Sequence, residues 1–182
     1  FCRQGKINLC DSRRILGVSC EDYRQHGAFA QLVSVPEHIV HRIPAKLTFE
    51  QAALVEPVSV AVHAVNLTLL ELGQSAVVIG CGTIGLLCLQ SLRAAGCGKL
   101  SAVDPDESRR ERALGVGADE AFDPRAVDVA AEVAARTGGL GADLAMEAVG
   151  ATDPVNTAVS VVRNMQQDLN VFDVEEEPPP PE

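Results

Sequence analysis

The sequence predicts an α/β fold in which helices cross over between the strands of a parallel sheet. Short apolar runs alternate with helical stretches from Ser75 onward, the first run ends among three glycines, and the second ends at an aspartate. The predicted strands are residues 75–80, 99–103, 120–122 and 143–148, and the predicted helices are 83–95, 106–115, 125–137 and 153–163. Strands that alternate with helices in this way form a doubly wound parallel sheet.

The region before Ser75 has a different pattern and is predicted to be irregular and rich in strands. Residues 28–35 and 39–43 are predicted strands, and each is followed by a proline that ends it. Thr48 is predicted to begin a helix, with Gln51 in the position that completes a capping box. A second helix is predicted to begin at Pro57 and to continue to about Leu72.

The first strand of the sheet leads into a glycine pattern with a defined chemistry. Residues 76–79 are followed by Gly80-x-Gly82-x-x-Gly85 and a helix, and Asp104 ends the next strand 19 residues after Gly85. This combination of strand, glycines, helix, strand and acid is the fingerprint of a dinucleotide-binding βαβ unit, the Rossmann motif. The alternative is a glycine-rich turn that binds no ligand.

Each residue of the fingerprint has a physical role. Gly80 permits the sharp turn, Gly82 allows a diphosphate to approach the backbone, and Gly85 lets the helix pack closely on the sheet. The helix N-terminus supplies free N–H groups and a partial positive charge. Asp104 is expected to accept hydrogen bonds from the adenosine ribose and to repel a 2′-phosphate, so NAD is predicted rather than NADP. Arg109 is expected to contact the ribose or the adenine, although a nearby arginine can also serve an NADP site.

Composition excludes several classes of function. The chain has 182 residues, of which 47% are hydrophobic, enough for a core, and a net charge of −10. That charge argues against nucleic acid and anionic membranes as partners. The longest apolar stretch, residues 76–89, is too short to cross a membrane and contains three glycines. Residues 164–182 become polar, acidic and proline-rich, so they are predicted to form a disordered tail.

Taken together, these residues resemble the zinc-containing medium-chain alcohol and polyol dehydrogenases. The stretches that carry the resemblance are residues 2–10, 27–31 with 35–36, 43–57, and 80–85 with Asp104, 117–119 and 147–150. The Glu56-Pro57 pair is similar to the sorbitol, threonine and sugar-alcohol branch. The predicted coenzyme-binding residues are Gly80, Gly82, Thr83, Ile84, Gly85, Asp104, Arg109 and Val149.

The resemblance also implies two zinc sites. Cys2 and Cys10 match the last two thiolates of the family's four-cysteine structural zinc, and the other two would lie before residue 1. Two thiolates do not complete a structural site, which needs four ligands. Glu56 matches the position that supplies or supports a ligand of the catalytic zinc; the plainer interpretation is a helix cap. The family's cysteine and histidine ligands of that zinc lie upstream, so both sites are expected to be incomplete in this chain.

The resemblance implies a division into three parts. Residues 1–56 would be the end of a β-rich, GroES-like catalytic domain with a remnant of the structural-zinc lobe. Residues 57–163 would be a partial NAD-binding Rossmann domain with its leading helix, and 164–182 would be the divergent tail. After Arg163 the sequence departs from the family, which continues with two strands that form the subunit interface. The strand at 143–148 is therefore expected to be a bare edge.

The predicted function is hydride transfer between NAD and a secondary alcohol of a polyol or sugar alcohol. The chain is expected to be a cytoplasmic fragment that is inactive alone, while the intact protein binds a small-molecule alcohol and forms a homo-oligomer. Two alternatives remain open. One is a zinc-free, NADPH-dependent enzyme similar to quinone reductases, and the other is a non-catalytic NAD-binding or interaction module.

Overall fold

The computed structural model describes residues 1–18 and 24–163. It divides into two compact units, Phe1–Leu47 and a second that begins at Thr48. The predicted tail, residues 164–182, lies outside the described residues, so its expected disorder stays a prediction.

The first unit consists mainly of turns. Two short 3₁₀ turns, Cys2–Gln4 and Ile7–Leu9, precede a pair of two-residue parallel strands, β1 (Ile15–Leu16) and β2 (Arg24–Gln25). A third 3₁₀ turn covers Glu37–Ile39. None of the described residues of this unit is buried.

The prediction of strands at residues 28–35 and 39–43 is wrong. Both segments are without strand structure, and the only regular element that overlaps them is the 3₁₀ turn Glu37–Ile39. Phe29 and Leu32 are exposed, so they pack on no neighbouring strand. A strand depends on cross-strand pairs and a buried face more than on the propensity of its residues, and neither is present here.

The second unit begins with two consecutive helices, α1 (Phe49–Ala53) and α2 (Val55–Leu67). The predicted capping box is confirmed: the Gln51 amide donates to Thr48 Oγ1 at 3.2 Å, and the Thr48 amide donates to Gln51 Oε1 at 3.0 Å. The predicted bounds of α2 are wrong at both ends. It begins two residues before Pro57, and it ends five residues before Leu72, close to Leu69, which has a positive φ of 54°.

The remaining elements form the predicted parallel sheet, and the strand order is β5-β4-β3-β6. The strands are β3 (Ala76–Ile79), β4 (Leu100–Val103), β5 (Glu120–Phe122) and β6 (Leu144–Glu147). The helices are α3 (Thr83–Ala94), α4 (Glu107–Gly115), α5 (Val129–Arg136) and α6 (Thr152–Val161). The four strands and four helices predicted from the sequence are confirmed, with ends that differ by a few residues.

The core lies on both faces of this sheet. Every residue of β3 and β4 is buried, as expected for parallel strands covered by helices on two sides. Val78 packs with Leu89 and Leu92 of α3 on one face, where α2 and α4 also contribute. Val77 and Ile79 pack on the other face, together with α5 and α6.

The strand order places a crevice at the carboxyl ends of the strands. From β3 the chain builds the sheet outward through β4 and β5, and it then returns to place β6 on the other side of β3. In doubly wound sheets, ligands bind where the strand order reverses in this way.

Among the described residues β6 is the edge strand of the sheet, as expected, and one isolated bridge forms just before it. Val162, which follows α6, forms a parallel bridge with Ala142, just before β6. The Ala142 amide donates to the Val161 carbonyl at 2.8 Å, and the Arg163 amide donates to the Ala142 carbonyl at 2.7 Å. This pairing is limited to Ala142, so the outer edge of β6 itself has no strand partner among the described residues.

Candidate functional site

Two of the three glycines are required by close packing of the backbone. Gly80 has a φ of 92°, and a Cβ there would lie 2.5 Å from Cγ2 of Val149. A Cβ at Gly85 would overlap the carbonyl oxygen of Gly80. A side chain at either position would separate β3 from the helix or the loop that packs on it.

Gly82 differs, because a Cβ there would meet no protein atom within 4 Å. It is the N-cap of α3 and has an ordinary φ of −72°. Thr83 and Ile84 follow as the first residues of the helix, where backbone N–H groups have no partner within the helix. Packing therefore does not explain this glycine, whereas an open approach to helical N–H groups suits a diphosphate.

Asp104 joins two loops at the carboxyl ends of the strands. Its side chain is only 3% exposed. Oδ2 accepts a hydrogen bond from the Cys81 amide at 2.8 Å, inside the glycine turn, and Oδ1 accepts one from the Asp106 amide, also at 2.8 Å. Each carboxylate oxygen has two lone pairs, so both retain an acceptor site for a ligand hydroxyl.

Cys81 occupies the position between the first two glycines and is buried. Burial is the main cause that raises the pKa of its thiol, to about 11. A thiol with such a pKa is neutral at physiological pH, so the Cys81 side chain acts here as a small packing residue. Its backbone amide is the donor to Asp104 Oδ2.

Arg109 lies at the outer side of Asp104. Its Nη1 is 3.8 Å from Asp104 Oδ2, and the guanidinium is about half exposed. Asp106 caps α4 by accepting the Arg109 amide at 3.0 Å. The hydroxyl of Ser108, and then this amide, hold the pKa of Asp106 below its usual value, so the cap stays charged beside the helix N-terminus.

Arg125 was not identified from the sequence, although it belongs to the same region. It follows β5, donates to both carboxylate oxygens of Asp123 at 2.9–3.0 Å, and also donates to the carbonyl oxygen of Pro105. The hydrogen bond from Arg125 is the main cause that lowers the pKa of Asp123 to about 2. Arg125 thus connects the loops that follow β4 and β5.

Glu147 was also missed as a functional residue. It ends β6, and its Oε1 accepts the amides of Val149 at 2.6 Å and of Gly150 at 2.8 Å. These bonds fix the turn that places Val149 against Gly80. An acid that ends a strand three residues before a glycine is the sequence signal that could have identified it.

These loops surround a cleft of about 400 Å³ at the carboxyl ends of the strands. Gly80, Val103 and Val149 line it from the strand ends, and Pro105 and Arg125 line it from the loops. The structure therefore brings Gly80, Gly82, Gly85, Asp104, Arg109 and Val149 into one region. The open Gly82, the helical N–H groups and the fixed carboxylate fit a dinucleotide.

Glu56 is separate from these contacts. It is the second residue of α2 and is exposed, and its backbone carbonyl accepts the Ser59 hydroxyl at 2.6 Å. Within residues 1–18 and 24–163 there is no group of three or more His, Cys, Asp or Glu side chains that could hold a metal ion. A catalytic zinc needs three protein ligands, so the described part of the chain does not fit a complete site.

Cys2 and Cys10 lie together in the first unit. A hydrogen bond between the two thiols is the main cause that raises the pKa of Cys2, and both line a cleft of about 410 Å³. Two adjacent sulfur donors fit half of a four-thiolate zinc site, and the described residues add no third.

The chain is similar to dehydrogenases in sequence and in structure. Residues 83–166 match the family model described as zinc-binding dehydrogenase. The (R,R)-butanediol dehydrogenase of Bacillus subtilis is 41% identical over 147 residues, which cover 81% of this chain and 41% of the relative. The D-xylulose reductase A of Aspergillus oryzae is 37% identical over 167 residues, which cover 89% of this chain and 45% of the relative.

The chain belongs to the zinc-binding dehydrogenase family. A solved structure described as a zinc-binding dehydrogenase from Sinorhizobium meliloti 1021, bound to NADP, has a TM-score of 0.79 and 30% identity. The match covers 89% of this chain and 46% of that one. This member of the family thus spans less than half the length of the relatives it matches. Among the described residues, no helix is long and apolar enough to span a membrane.

Proposed function

We propose that this chain is the coenzyme-binding part of an NAD-linked, zinc-dependent dehydrogenase that acts on a secondary alcohol of a polyol or sugar alcohol. The observation that carries the proposal is the buried Asp104 carboxylate, fixed by the Cys81 amide beside the open Gly82. The relatives named butanediol dehydrogenase and xylulose reductase support the alcohol as the substrate class.

The diphosphate of the coenzyme binds at the N-terminus of α3. Gly82 leaves room for its oxygens, and the amides of Thr83 and Ile84 donate to them. The packing of Gly80 and Gly85 keeps the helix N-terminus next to β3. The turn is therefore built before the ligand arrives, which reduces the entropy that binding costs.

The ribose of the adenosine binds at Asp104. Both carboxylate oxygens are held by backbone amides, so the carboxylate cannot rotate away from a 2′-phosphate. The Asp104 carboxylate and a 2′-phosphate on the adjoining ribose are both negatively charged and repel each other. NAD is therefore preferred over NADP. Arg109, held close to Asp104, contacts the ribose or the base, and Val149 lines the cleft beside Gly80.

The zinc chemistry belongs to the intact protein. A catalytic zinc would supply Lewis-acid chemistry toward an alcohol oxygen. Glu56 would supply or support one ligand at the start of α2, and Cys2 and Cys10 would supply two thiolates of a structural site. Since the described residues hold neither site complete, the chain alone binds coenzyme without turnover.

The intact enzyme is a cytoplasmic homo-oligomer in this proposal. A reducing compartment keeps the buried thiols of Cys81, Cys88 and Cys97 free, as they are in the structure. The partner that the site selects is a small-molecule alcohol together with the coenzyme.

Titration of the 182-residue chain with NADH and with NADPH tests the proposal, with NADH fluorescence as the signal. The chain contains no tryptophan, so no tryptophan emission overlaps the excitation band of the reduced nicotinamide. We expect NADH to bind and NADPH to bind at least about tenfold more weakly, because of the charge repulsion at Asp104.

Gly82→Ala is the matched variant. Its Cβ enters space that no protein atom occupies, so folding is retained and NADH affinity falls. Equal NADH affinity in this variant would place the diphosphate elsewhere. Turnover of sorbitol by the unaltered chain with added zinc and NAD would contradict the assignment of the zinc chemistry to the longer protein.

A further inference from the structure

Two arginines hold the backbone that carries Asp104. Arg110, on α4, donates from Nη1 to the Asp104 carbonyl oxygen at 2.8 Å. Arg125, in the loop after β5, donates from Nη2 to the carbonyl oxygen of the next residue, Pro105. These two carbonyl groups are consecutive along the chain, so the two guanidinium groups together restrain the backbone at the position of the carboxylate.

One carboxylate, that of Asp123, pairs with both arginines. Its Oδ1 accepts a hydrogen bond from Arg125 Nε at 3.0 Å, and its Oδ2 accepts one from Arg125 Nη2 at 2.9 Å, so two planar groups meet at two points. Arg110 Nη1 lies 3.5 Å from the same Oδ2. Asp123 therefore holds both guanidinium groups at the places from which they reach the Asp104 and Pro105 carbonyls.

The place of Asp123 in the fold suits this task, because it follows the strand that lies beside Asp104. It comes directly after β5, and the Asp104 amide donates to the carbonyl oxygen of Phe122, the last residue of that strand, at 3.1 Å. Only 20% of the Asp123 side chain and 19% of the Arg110 side chain are exposed. Contacts between charges that are shielded from water are stronger than ion pairs on an open surface.

The carboxylate and the main chain of Asp104 are thus fixed by different groups. The Cys81 and Asp106 amides hold the two carboxylate oxygens, whereas the arginines hold the backbone carbonyls. A backbone shift of about 1 Å would take the carboxylate out of hydrogen-bond reach of a fixed ligand. Both sets of bonds are therefore needed to place it accurately.

We propose that Asp123 is a positioning residue, which acts through the two arginines to keep the Asp104 carboxylate within reach of the adenosine ribose. The inference rests on the proposed function, in which Asp104 accepts the 2′-hydroxyl of that ribose. Asp123 is not among the described residues that line the cleft. Its effect on binding is therefore exerted at one hydroxyl group and not along the whole coenzyme.

The binding of NADH, and of its analogue without the adenosine 2′-hydroxyl, to the 182-residue chain tests the proposal. We expect the unaltered chain to prefer NADH by at least about tenfold, the value of one charge-assisted hydrogen bond. Asp123→Asn keeps the shape of the side chain but turns a donor toward one of the arginines, so it lowers that preference to less than about threefold. Both affinities are measured on the same variant, so any unfolded fraction cancels from their ratio.

The matched control is Asp119→Asn at the other end of β5. Asp119 directly precedes the strand, and its Oδ2 lies 2.8 Å from Arg93 Nη2. The same change thus weakens the same kind of contact at the amino end of the strand, whereas Asp104 lies at the carboxyl ends. We expect this variant to keep the full preference for NADH.

Arg125→Ala is a second variant, at a side chain that is 69% exposed, so we expect it to fold and to lower the preference as Asp123→Asn does. An unchanged preference in Asp123→Asn, even with both affinities reduced, overturns this inference and leaves the proposed function intact. An equal fall in Asp119→Asn also overturns it, because the effect would then not belong to the loops around Asp104. If the unaltered chain binds neither ligand, or both equally, the proposed function itself fails at the ribose.

Discussion

The two units of this chain differ in how their apolar residues are used. In the second unit, β3 and β4 are buried throughout and helices cover both faces of the sheet. In the first unit no described residue is buried, and Phe29 and Leu32 are almost fully exposed. The second unit therefore has its own core, and the first is held mainly by local turns.

This contrast indicates which residues determine stability and which determine function. Substitutions in the second unit act through burial, backbone contacts and hydrogen bonds, so their effects can be ranked. Substitutions of exposed apolar residues in the first unit remove few packing contacts, so they change the free energy of unfolding little.

Leu89→Ala and Phe29→Ala compare the two units directly. Leu89 is completely buried in α3, so its truncation lowers the free energy of unfolding by about 3 kcal/mol. Phe29 is exposed, and its truncation changes that free energy by less than about 0.5 kcal/mol. Urea unfolding followed by circular dichroism measures both; a large loss in Phe29→Ala would show that the first unit has a core of its own.

Gly85→Ala and Gly82→Ala separate packing from ligand access inside the glycine turn. The new Cβ at position 85 overlaps the Gly80 carbonyl oxygen, so the free energy of unfolding falls by about 3 kcal/mol. At position 82 the Cβ meets open space, and the loss stays below about 1 kcal/mol. Equal losses of stability, measured by thermal unfolding, would mean that the helix can shift away from β3.

Asp104→Ala tests the carboxylate that joins the two loops. Removing it leaves the Cys81 and Asp106 amides without their acceptor and lowers the free energy of unfolding by about 2 kcal/mol. Asp104→Asn keeps one carbonyl acceptor, so it lowers the free energy of unfolding less than Asp104→Ala does. If both variants unfold at the same urea concentration as the unaltered chain, water replaces the carboxylate without cost.

The smallest effect concerns Asp123, whose pKa is about 2 in the folded chain against an ordinary value of 3.8. Because the folded state lowers the pKa, the carboxylate stabilises fully above pH 3.8, and this contribution is lost as the pH falls toward 2. NMR titration of the carboxyl carbon measures it, and Arg125→Ala moves the pKa back up. Asp123→Asn is the control, in which the corresponding loss of stability below pH 4 is absent.

The sheet and its helices could be predicted from the sequence because each signal is local. The apolar run of β3, the three glycines and the capping box at Thr48 depend on neighbouring residues, and all are observed. The strands predicted at 28–35 and 39–43 failed for the opposite reason. Strand formation there required partners that the segment itself does not supply.

The site was predictable in its residue types but not in its contacts. An acid at the end of β4 is visible in the sequence, whereas its bonds to the Cys81 and Asp106 amides depend on how two loops meet. The lining of the cleft was not predicted, because Pro105, Pro124 and Pro154 follow three different strands. Only the strand order brings these segments together.

The two amide bonds of Asp104 also affect how the coenzyme preference could be changed by design. Replacing Asp104 with a small neutral residue, to make room for a 2′-phosphate, would also free the glycine loop from the turn before α4. The proposed selectivity for NAD and the observed loop geometry would thus depend on the same two oxygen atoms. A redesign would therefore keep Asp104 and introduce new positive charge elsewhere, where no backbone amide depends on the side chain that is replaced.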